Sequence, residues 1–315
     1  MDERFFRVFG LGQCCVDYIV EVNAYPEPDL KCEFSDMVVQ GGGPVATALV
    51  ALSRWGVSCA FAGVQGDDVF GPMIKASLDE EGIDTSGILV RKGFHSQFAF
   101  IVAEPGVGRR TVFWRRPTGP PPTPEEIDYR IIRNAKVFHT DGLFAEASLA
   151  ACKAARESGV QVVVDADSLR EGILDVARLS HYFLAAETFA KDLVGEGKPL
   201  DACFKLAELG PRVIVVTLGP RGYVALDRGR VIERPAFPVE PVDTTGCGDA
   251  FHAGFIYGLI AGWDVDKSLN FAAWAAAMVS LKMGARSGIP LLENWGQFAT
   301  TDKIGRGLRK PTRHS

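Results

Sequence analysis

The sequence predicts an α/β fold: a doubly wound, mostly parallel β-sheet with a small β-sheet lid formed by two insertions. Short apolar runs rich in β-branched residues alternate with helical segments along most of the 315 residues. Parallel strands covered on both faces have this nearly continuous apolar character, and strand–helix alternation gives right-handed βαβ units. Two stretches, residues 19–39 and 93–116, show strand-like alternation without an intervening helix.

Six apolar runs are predicted to be buried strands of the main sheet: Arg7 to Leu11, Ser58 to Val64, Val137 to Thr140, Val160 to Asp165, Tyr182 to Leu184 and Val213 to Thr217. The segments between them have the spacing of apolar residues that is typical of helices. The predicted helices include Val45 to Trp55, Phe70 to Glu81, Glu146 to Glu157 and Leu200 to Leu209.

The two stretches without helices are predicted to pair as a small sheet that stands off the main domain. In the second, Phe98, Phe100 and Val102 alternate, and a turn around residues 105–108 leads into Thr111 to Trp114. A lid over an active site is one use for such a sheet, because closure excludes water; two decorative hairpins are the alternative. The predicted organisation is one domain over residues 1–300, with lid segments at about 19–39 and 93–116, and a polar tail over residues 301–315.

Composition excludes several classes of protein. The net charge of −5 argues against broad binding to nucleic acid. The sequence has no stretch of 18 or more apolar residues, so we expect no membrane-spanning helix, and residues 1–7 lack the features of a signal peptide. The seven cysteines show no CxxC spacing, which favours reduced thiols and a cytoplasmic location. The five histidines form no metal-binding pattern, so we expect no transition metal held by the protein.

The strongest motif is Asp243-Thr244-Thr245-Gly246-Cys247-Gly248-Asp249-Ala250-Phe251, directly before a predicted helix. The first amides of a helix have no partner within it and lie at the positive end of its dipole, and glycines let an anion approach them. Asp249 falls in the first turn, where a carboxylate can accept a proton from a hydroxyl group. An anion site beside a base is what phosphoryl transfer requires; a simple glycine-rich turn is the alternative.

This motif resembles the C-terminal signature of the ribokinase-like (PfkB) carbohydrate kinase family. The resemblance extends from Phe9 to about Pro290 and implies that Asp249 is the catalytic base. It also implies that the backbone amides of Gly246, Cys247 and Gly248 bind the transferred phosphoryl group. A second run, Cys59-Ala60-Phe61, is similar to the ketohexokinase-like branch of the family.

The resemblance also implies a sugar site near the N-terminus. The run from Gly41 to Ala48 is similar to the family's other signature, in which Gly42 and Gly43 contact substrate hydroxyls. Thr47 stands where the family has an asparagine, so one sugar contact is altered. Asp17 matches the family's first sugar-binding aspartate, whose carboxylate can accept hydrogen bonds from two neighbouring hydroxyls.

On the nucleotide side, residues 217–222 resemble the family's ATP loop, which implies that Thr217, Gly219 and Gly222 contact ATP. An apolar helix over residues 272–283 is expected to line the adenine pocket. The family's Asn-x-x-Glu motif is replaced by Ala186-Glu187-Thr188-Phe189, which keeps only the carboxylate of Glu187. Similarly, Asp167 stands where an asparagine is usual.

The implied cofactors are ATP and Mg²⁺, with the magnesium carried mainly by the phosphates. Some relatives bind a monovalent cation such as K⁺. Carbonyls near Asp243, Thr245 and Gly284 would supply its ligands here.

The predicted function is ATP-dependent phosphorylation of a hydroxyl, a primary one, on a small sugar or sugar derivative. A nucleoside kinase is the first alternative, with Phe98, Phe100 or Phe113 holding the base, and a non-catalytic sugar-binding regulator is the second. Specificity is expected to depend on lid side chains such as Phe98, Phe113 and Arg115. An exposed edge of the lid sheet would suit a homodimer.

One prediction concerns reactivity. Cys247 is expected at the start of a helix, where the dipole can lower the pKa of a thiol. Alkylation of Cys247 is therefore predicted to inactivate the enzyme, and ATP to slow that loss.

Overall fold

A computed structural model describes residues 6–104 and 109–299 of the chain. Elements are numbered here in chain order. Nine of the described strands form a large sheet: β1 Val8–Leu11, β4 Cys59–Gly66, β5 Asp84–Arg91, β8 Val137–Thr140, β9 Gln161–Ala166, β10 Tyr182–Ala186, β11 Val213–Thr217, β12 Tyr223–Asp227 and β13 Arg230–Arg234. The strand order is β13-β12-β11-β10-β9-β8-β1-β4-β5, and only the contacts of β12 with β11 and β13 are antiparallel. The doubly wound, mostly parallel sheet is confirmed.

Helices cover both faces of this sheet. The described helices are α1 Pro44–Arg54, α2 Phe70–Asp79, α3 Tyr129–Asn134, α4 Ala145–Glu157, α5 Ile173–Leu179, α6 Glu187–Val194, α7 Pro199–Ala207, α8 Cys247–Ile260, α9 Val265–Val279 and α10 Leu292–Ala299. Apolar residues of α1, α2, α8 and α9 form the core on one face, and those of α3 to α7 form the core on the other. None of the described helices has the length and apolar character needed to cross a membrane.

A second, four-stranded sheet has the order β3-β2-β6-β7, with β2 Cys15–Glu21, β3 Asp36–Gly42, β6 Gln97–Glu104 and β7 Arg109–Arg115. Two insertions therefore build a small sheet, as predicted, although β2 begins earlier than residue 19 and β3 ends later than residue 39. The predicted turn at residues 105–108 and the predicted tail at 301–315 lie outside the described residues.

The register of the small sheet defines its two faces. Asp17 lies opposite Gln40 on one side and Ala99 on the other, and Ala99 lies opposite Trp114. Directly opposed residues point to the same face, so we call the face that carries Asp17 the inner face. On it, Ile19, Ala99 and Ile101 are buried against Met283, in the loop that follows α9.

The outer face carries the residues that sequence reasoning had assigned to specificity. Phe98 lies opposite Arg115, and Phe100 lies opposite Phe113. The Phe98 ring stacks on Phe70 of α2 with 4.8 Å between ring centroids. Phe98, Phe113 and Arg115, on which specificity was expected to depend, therefore lie on the face of the small sheet opposite to that of Asp17.

Helix α9 also differs from its prediction. It spans Val265–Val279 rather than residues 272–283, because the carboxylate of Asp264 caps its start by accepting a hydrogen bond of 2.8 Å from the amide of Lys267. Strands β5, β12 and β13 were not predicted. β5 and β13 are the outermost strands of the large sheet, where the apolar runs are less continuous, whereas β12 is short but buried over four of its five residues.

The packing of α8 against α9 generates a prediction about stability. A Cβ atom at Gly254 would lie 2.6 Å from the Cα and 3.1 Å from the N of Ala272 in α9. We expect Gly254→Ala to lower the free energy of unfolding by about 1–3 kcal/mol through overpacking, although alanine is the better helix former by about 1 kcal/mol. Urea denaturation measures the difference.

Gly296→Ala is the matched control, since Gly296 lies within α10 and a Cβ atom there would meet nothing within 4 Å. It should be neutral or slightly stabilising. Equal stability of Gly254→Ala and the wild type would show that α8 and α9 can separate without cost.

Candidate active site

The loop before α8 leaves the start of this helix open. Gly246 adopts a left-handed conformation with φ of 78°, and a Cβ atom there would lie 2.6 Å from the Cα of Ala285. A Cβ atom at Gly248, in contrast, would meet nothing within 4 Å. The first glycine is therefore required for the turn, and the space in front of the second can admit an anion to the free amides of the helix.

Asp243 holds this loop in place. Its Oδ1 accepts hydrogen bonds from the backbone N and the Oγ1 of Thr245, at 2.9 and 2.7 Å, and its Oδ2 accepts one from the backbone N of Gly284, at 2.9 Å. The three residues predicted near a monovalent cation therefore lie together. The Asp243 carboxylate itself is already engaged by these donors, which leaves backbone carbonyls as the candidate cation ligands.

Asp249 stands in the first turn of α8, as predicted. Part of the residue remains exposed, but the protein surrounds its carboxylate closely enough that burial raises its pKa well above the ordinary value. The negative charges of Asp167 and Asp17 raise this pKa further, while Arg110 and Arg286 oppose the shift. A carboxylate with a raised pKa is a better proton acceptor than an ordinary aspartate.

A buried pair lies beneath the same turn. The Nδ1 of His252 is 2.7 Å from the carbonyl O of Gly248, and its Nε2 is 3.5 Å from Oδ1 of Asp165. Burial lowers the pKa of His252 and raises that of Asp165 well above its usual value. A neutral imidazole can donate its Nδ1–H to Gly248, and this contact supports the turn from behind.

The predicted sugar residues also come together. Asp17 is buried, and its Oδ1 accepts a hydrogen bond of 3.1 Å from the thiol of Cys15. Gly42 lies so close that any Cβ atom there would collide with the Asp17 carboxylate, and Gly43 has φ of 102°. Thr47 is buried, and its hydroxyl has no hydrogen-bond partner among the described residues.

On the nucleotide side, the end of β11 and a short 3-10 turn bring three predicted residues close in sequence and space. Thr217 ends the strand, while Gly219 and Gly222 have φ of 57° and 93°. The carboxylate of Glu187 forms ion pairs with Lys191, at 2.7 Å, and with Arg221 of the same turn, at 2.6 Å. Hydrogen bonds from Lys191 and Arg221 hold the pKa of Glu187 below its usual value.

Two arginines near the site were missed by sequence reasoning. Arg110, on the inner face of β7, donates a hydrogen bond of 2.7 Å from Nη1 to the Oγ1 of Thr244. Arg286 is buried, and its Nη1 donates to the backbone O and the Oγ of Ser77, both at 3.2 Å. Sequence alone offers no signal for either residue, because only the folded chain brings them beside the 243–249 motif.

The expectation that the helix start lowers the pKa of the Cys247 thiol is wrong, while the predicted effect of alkylation on activity stays a prediction. Burial raises the pKa of this thiol to about 12, and the nearby carboxylates of Asp243 and Asp249 add to this shift, which Arg110 only partly opposes. The helix start does not dominate here, because burial of the sulfur atom disfavours the charged thiolate.

Comparisons with known proteins identify the family of the chain. Residues 7–292 match the family described as pfkB family carbohydrate kinase. The chain is 30% identical to fructokinase-1 of Zea mays, over 90% of this chain and 94% of the relative. It is 28% identical to an ATP-dependent ribose-1-phosphate kinase of Halopiger xanaduensis, over 89% of this chain and 94% of that one. The structure of Arabidopsis thaliana ribokinase complexed with ribose and ATP superposes with a TM-score of 0.80 over 95% of this chain and all of that one, at 21% identity.

Fold and site thus define a sugar kinase with a ribokinase-like fold. The chain belongs to the pfkB family of carbohydrate kinases, and its function is ATP-dependent phosphorylation of a sugar. The family and the enzyme class predicted from the motifs are confirmed. An enzyme is therefore favoured over a non-catalytic regulator. The nucleoside kinase alternative loses its structural argument, because the three phenylalanines proposed to hold a base point away from Asp17.

The corrected chemistry of Cys247 generates a prediction. At pH 7.5, iodoacetamide should label Cys247 more than about tenfold more slowly than the exposed Cys32, because a thiol of raised pKa contains little thiolate. Peptide mass spectrometry follows both sites. A Cys32→Ser variant treated in the same way should keep its kinase activity, and faster labelling at Cys247 than at Cys32 would contradict this view.

Proposed function

We propose that this kinase transfers the γ-phosphoryl group of ATP to a primary hydroxyl of a free sugar, with a ketohexose such as fructose as the first candidate acceptor. The observation that carries the proposal is the position of Asp249, whose carboxylate has a raised pKa and stands in the first turn of α8, next to the open space at Gly248. The choice of fructose rests on the similarity to the Zea mays fructokinase.

In the proposed reaction, Asp249 accepts the proton of the sugar hydroxyl. The oxygen then forms a bond to the γ-phosphorus, the bond from that phosphorus to the bridging oxygen breaks, and ADP leaves. The backbone amides of Gly246, Cys247 and Gly248 stabilise the negative charge on the transferred group. Asp249 is the group that touches the reacting hydroxyl.

The sugar is proposed to bind between the two sheets, with Asp17, Gly42, Gly43 and Thr47 as its contacts. The buried carboxylate of Asp17 supports this proposal, since a sugar hydroxyl can donate to it. The unpartnered hydroxyl of Thr47 is a second polar group available for the sugar or for a water beside it. The Thr47 hydroxyl stands in place of an asparagine side-chain amide, which has both a donor NH₂ group and an acceptor oxygen. Thr47 can therefore form fewer hydrogen bonds with sugar hydroxyls.

The nucleotide substrate is proposed to be MgATP, bound by Thr217, Gly219 and Gly222, with Glu187 ordering the loop through Arg221. In the part of the chain that the structure describes, no group of three His, Cys, Asp or Glu side chains could hold a metal ion. The magnesium is therefore assigned to the phosphates. A K⁺ ion at the carbonyls near Asp243, Thr245 and Gly284 is proposed as well, because Asp243 ties these segments together.

Arg110 is proposed to place a positive charge beside the transferred phosphoryl group. Its guanidinium reaches the loop beside the helix start, where its charge acts on both Asp249 and Cys247. A cation that contacts the phosphoryl group favours transfer, because negative charge is spread over the equatorial oxygens.

The enzyme is proposed to act in the cytoplasm as a homodimer joined through the small sheet. Three large apolar side chains on the outer face of this sheet support the proposal, since Met37, Val39 and Phe113 are 47%, 40% and 51% exposed. Met37 and Val39 lie on the edge strand β3 and Phe113 on the opposite edge strand β7, so the exposed apolar side chains are spread across this face of the sheet. Exposed apolar surface of this kind favours an interface. The free cysteines are consistent with a reducing compartment.

Replacement of Asp249 tests the mechanism. We expect Asp249→Asn and Asp249→Ala to lower kcat by on the order of 100-fold or more, since the general base is lost. ADP release from MgATP is measured with a panel that includes fructose, ribose and adenosine. In the wild type, activity should fall as the pH drops through the raised pKa of Asp249, because only the ionised carboxylate accepts a proton.

Asp175→Asn, on the surface of α5, is the control for a change of charge and should keep full activity. Retained ATP binding in Asp249→Asn shows that the nucleotide site is intact. Undiminished ADP release in that variant would exclude Asp249 as the base.

Replacement of Arg110 tests the second role. Arg110→Met should lower kcat roughly 10- to 100-fold, because a charge beside the transferred group is lost, while the KM for the sugar changes little. Arg115→Met is the matched control, since Arg115 lies on the same strand but on the outer face. A loss of sugar affinity without a change in kcat would place Arg110 at the sugar instead.

A further inference from the structure

The inner face of β7 presents an aromatic ring in line with the predicted sugar aspartate. Asp17, Ala99 and Trp114 lie directly opposite one another across three neighbouring strands. Strands are spaced about 4.8 Å apart, so the backbones of Asp17 and Trp114 are separated by roughly 10 Å. Only the small side chain of Ala99 stands between the carboxylate and the indole on this face.

Trp114 is also unusually open. Half of its surface, 50%, is exposed, while Asp17 and Ala99 on the same row are only 6% and 5% exposed. The guanidinium of Arg116 lies over the indole, with its carbon 4.8 Å from the ring centroid. This cation–π contact covers one face of the ring and favours its present orientation.

A row on one sheet face with a carboxylate at one end and an indole at the other suits one kind of ligand. A sugar in its ring form has hydroxyl groups that can donate to a carboxylate and a face of C–H groups that is apolar. Binding sites combine an apolar wall with a few placed polar groups in this manner. An open-chain polyol has no such flat C–H face to offer the indole.

We propose that Trp114 is a specificity-determining residue, which packs against the C–H face of a cyclic sugar whose hydroxyls bind Asp17. The inference rests on the proposed function for its choice of ligand, and it adds the ring form of the acceptor and the residue that recognises it. The opposite face of the same strand provides the comparison, because Phe113 is equally exposed, at 51%, and points away from Asp17.

The experiment compares Trp114→Ala with Phe113→Ala and with the conservative Trp114→Phe. With the sugar that the wild type uses best, Trp114→Ala should raise KM about tenfold, the usual scale for a lost aromatic contact, and change kcat little. Phe113→Ala should stay within about twofold of the wild type, and Trp114→Phe should recover most of the affinity. Calorimetric titration of the same sugar into each variant measures binding without turnover.

Two further ligands test whether Trp114 recognises the cyclic form of the sugar. The affinity of 2,5-anhydromannitol, which is locked as a five-membered ring, should fall in Trp114→Ala as that of the best sugar does. Binding of mannitol, an open chain, should be unaffected by the substitution. An equal loss for both ligands would overturn the assignment of the C–H face.

The outcomes separate this inference from the proposed function. Kinase activity with identical sugar KM values in Trp114→Ala and Phe113→Ala would overturn the role of Trp114 and leave the kinase intact. Sugar binding that depends on Trp114, without any ADP release, would support the role of Trp114 and overturn the proposed transfer. A loss of affinity that coincides with a change of oligomeric state, measured by light scattering, would also overturn the inference, as would a wild type that binds no sugar.

Discussion

The start of α8 must remain open to a phosphoryl group and yet be held rigidly, and much of the structure around it follows from this constraint. Gly246 turns sharply against Ala285, and Gly248 leaves the space in front of the amides free. The rigidity comes from behind the turn, where Asp243 binds the loop and His252 contacts the Gly248 carbonyl. Preorganised amides of this kind stabilise charge without reorganising during the reaction.

Charge balance links the two sides of the site. Burial raises the pKa of both Asp17 and Asp249, and the negative charge of Asp17 raises the pKa of Asp249 further, so the base is poised to accept a proton. Arg286 and Arg110 oppose this effect from two directions, one buried beneath β3 and α2, the other carried by β7. Without such cations, burial alone would favour a protonated and inactive carboxyl group.

The sequence predicted the main sheet, the small sheet and the meeting of Asp249 with the glycine turn, because these depend on local patterns. It could not predict the faces of the small sheet. Alternation along β6 separates its residues into two sets, but it does not say which set lies on the same face as Asp17. Only the pairing of β6 with β2 shows that Ala99, and not Phe98, lies on that face. The raised thiol pKa of Cys247 was missed for a related reason, since its cause lies in carboxylates and burial that the fold brings to the sulfur.

The alternation of side chains along β7 places Arg110 and Trp114, the two residues of this strand with proposed roles, on the same face. Arg110 and Trp114 are four residues apart on one face, which places them about 13 Å apart along a rigid strand. One would act on the phosphoryl group and the other on the sugar, so both depend on the same position of the small sheet. A shift of the small sheet on sugar binding would move both side chains together, because they are carried by the same strand. Sugar recognition and transfer would then be coupled through the strand, in the manner of induced fit.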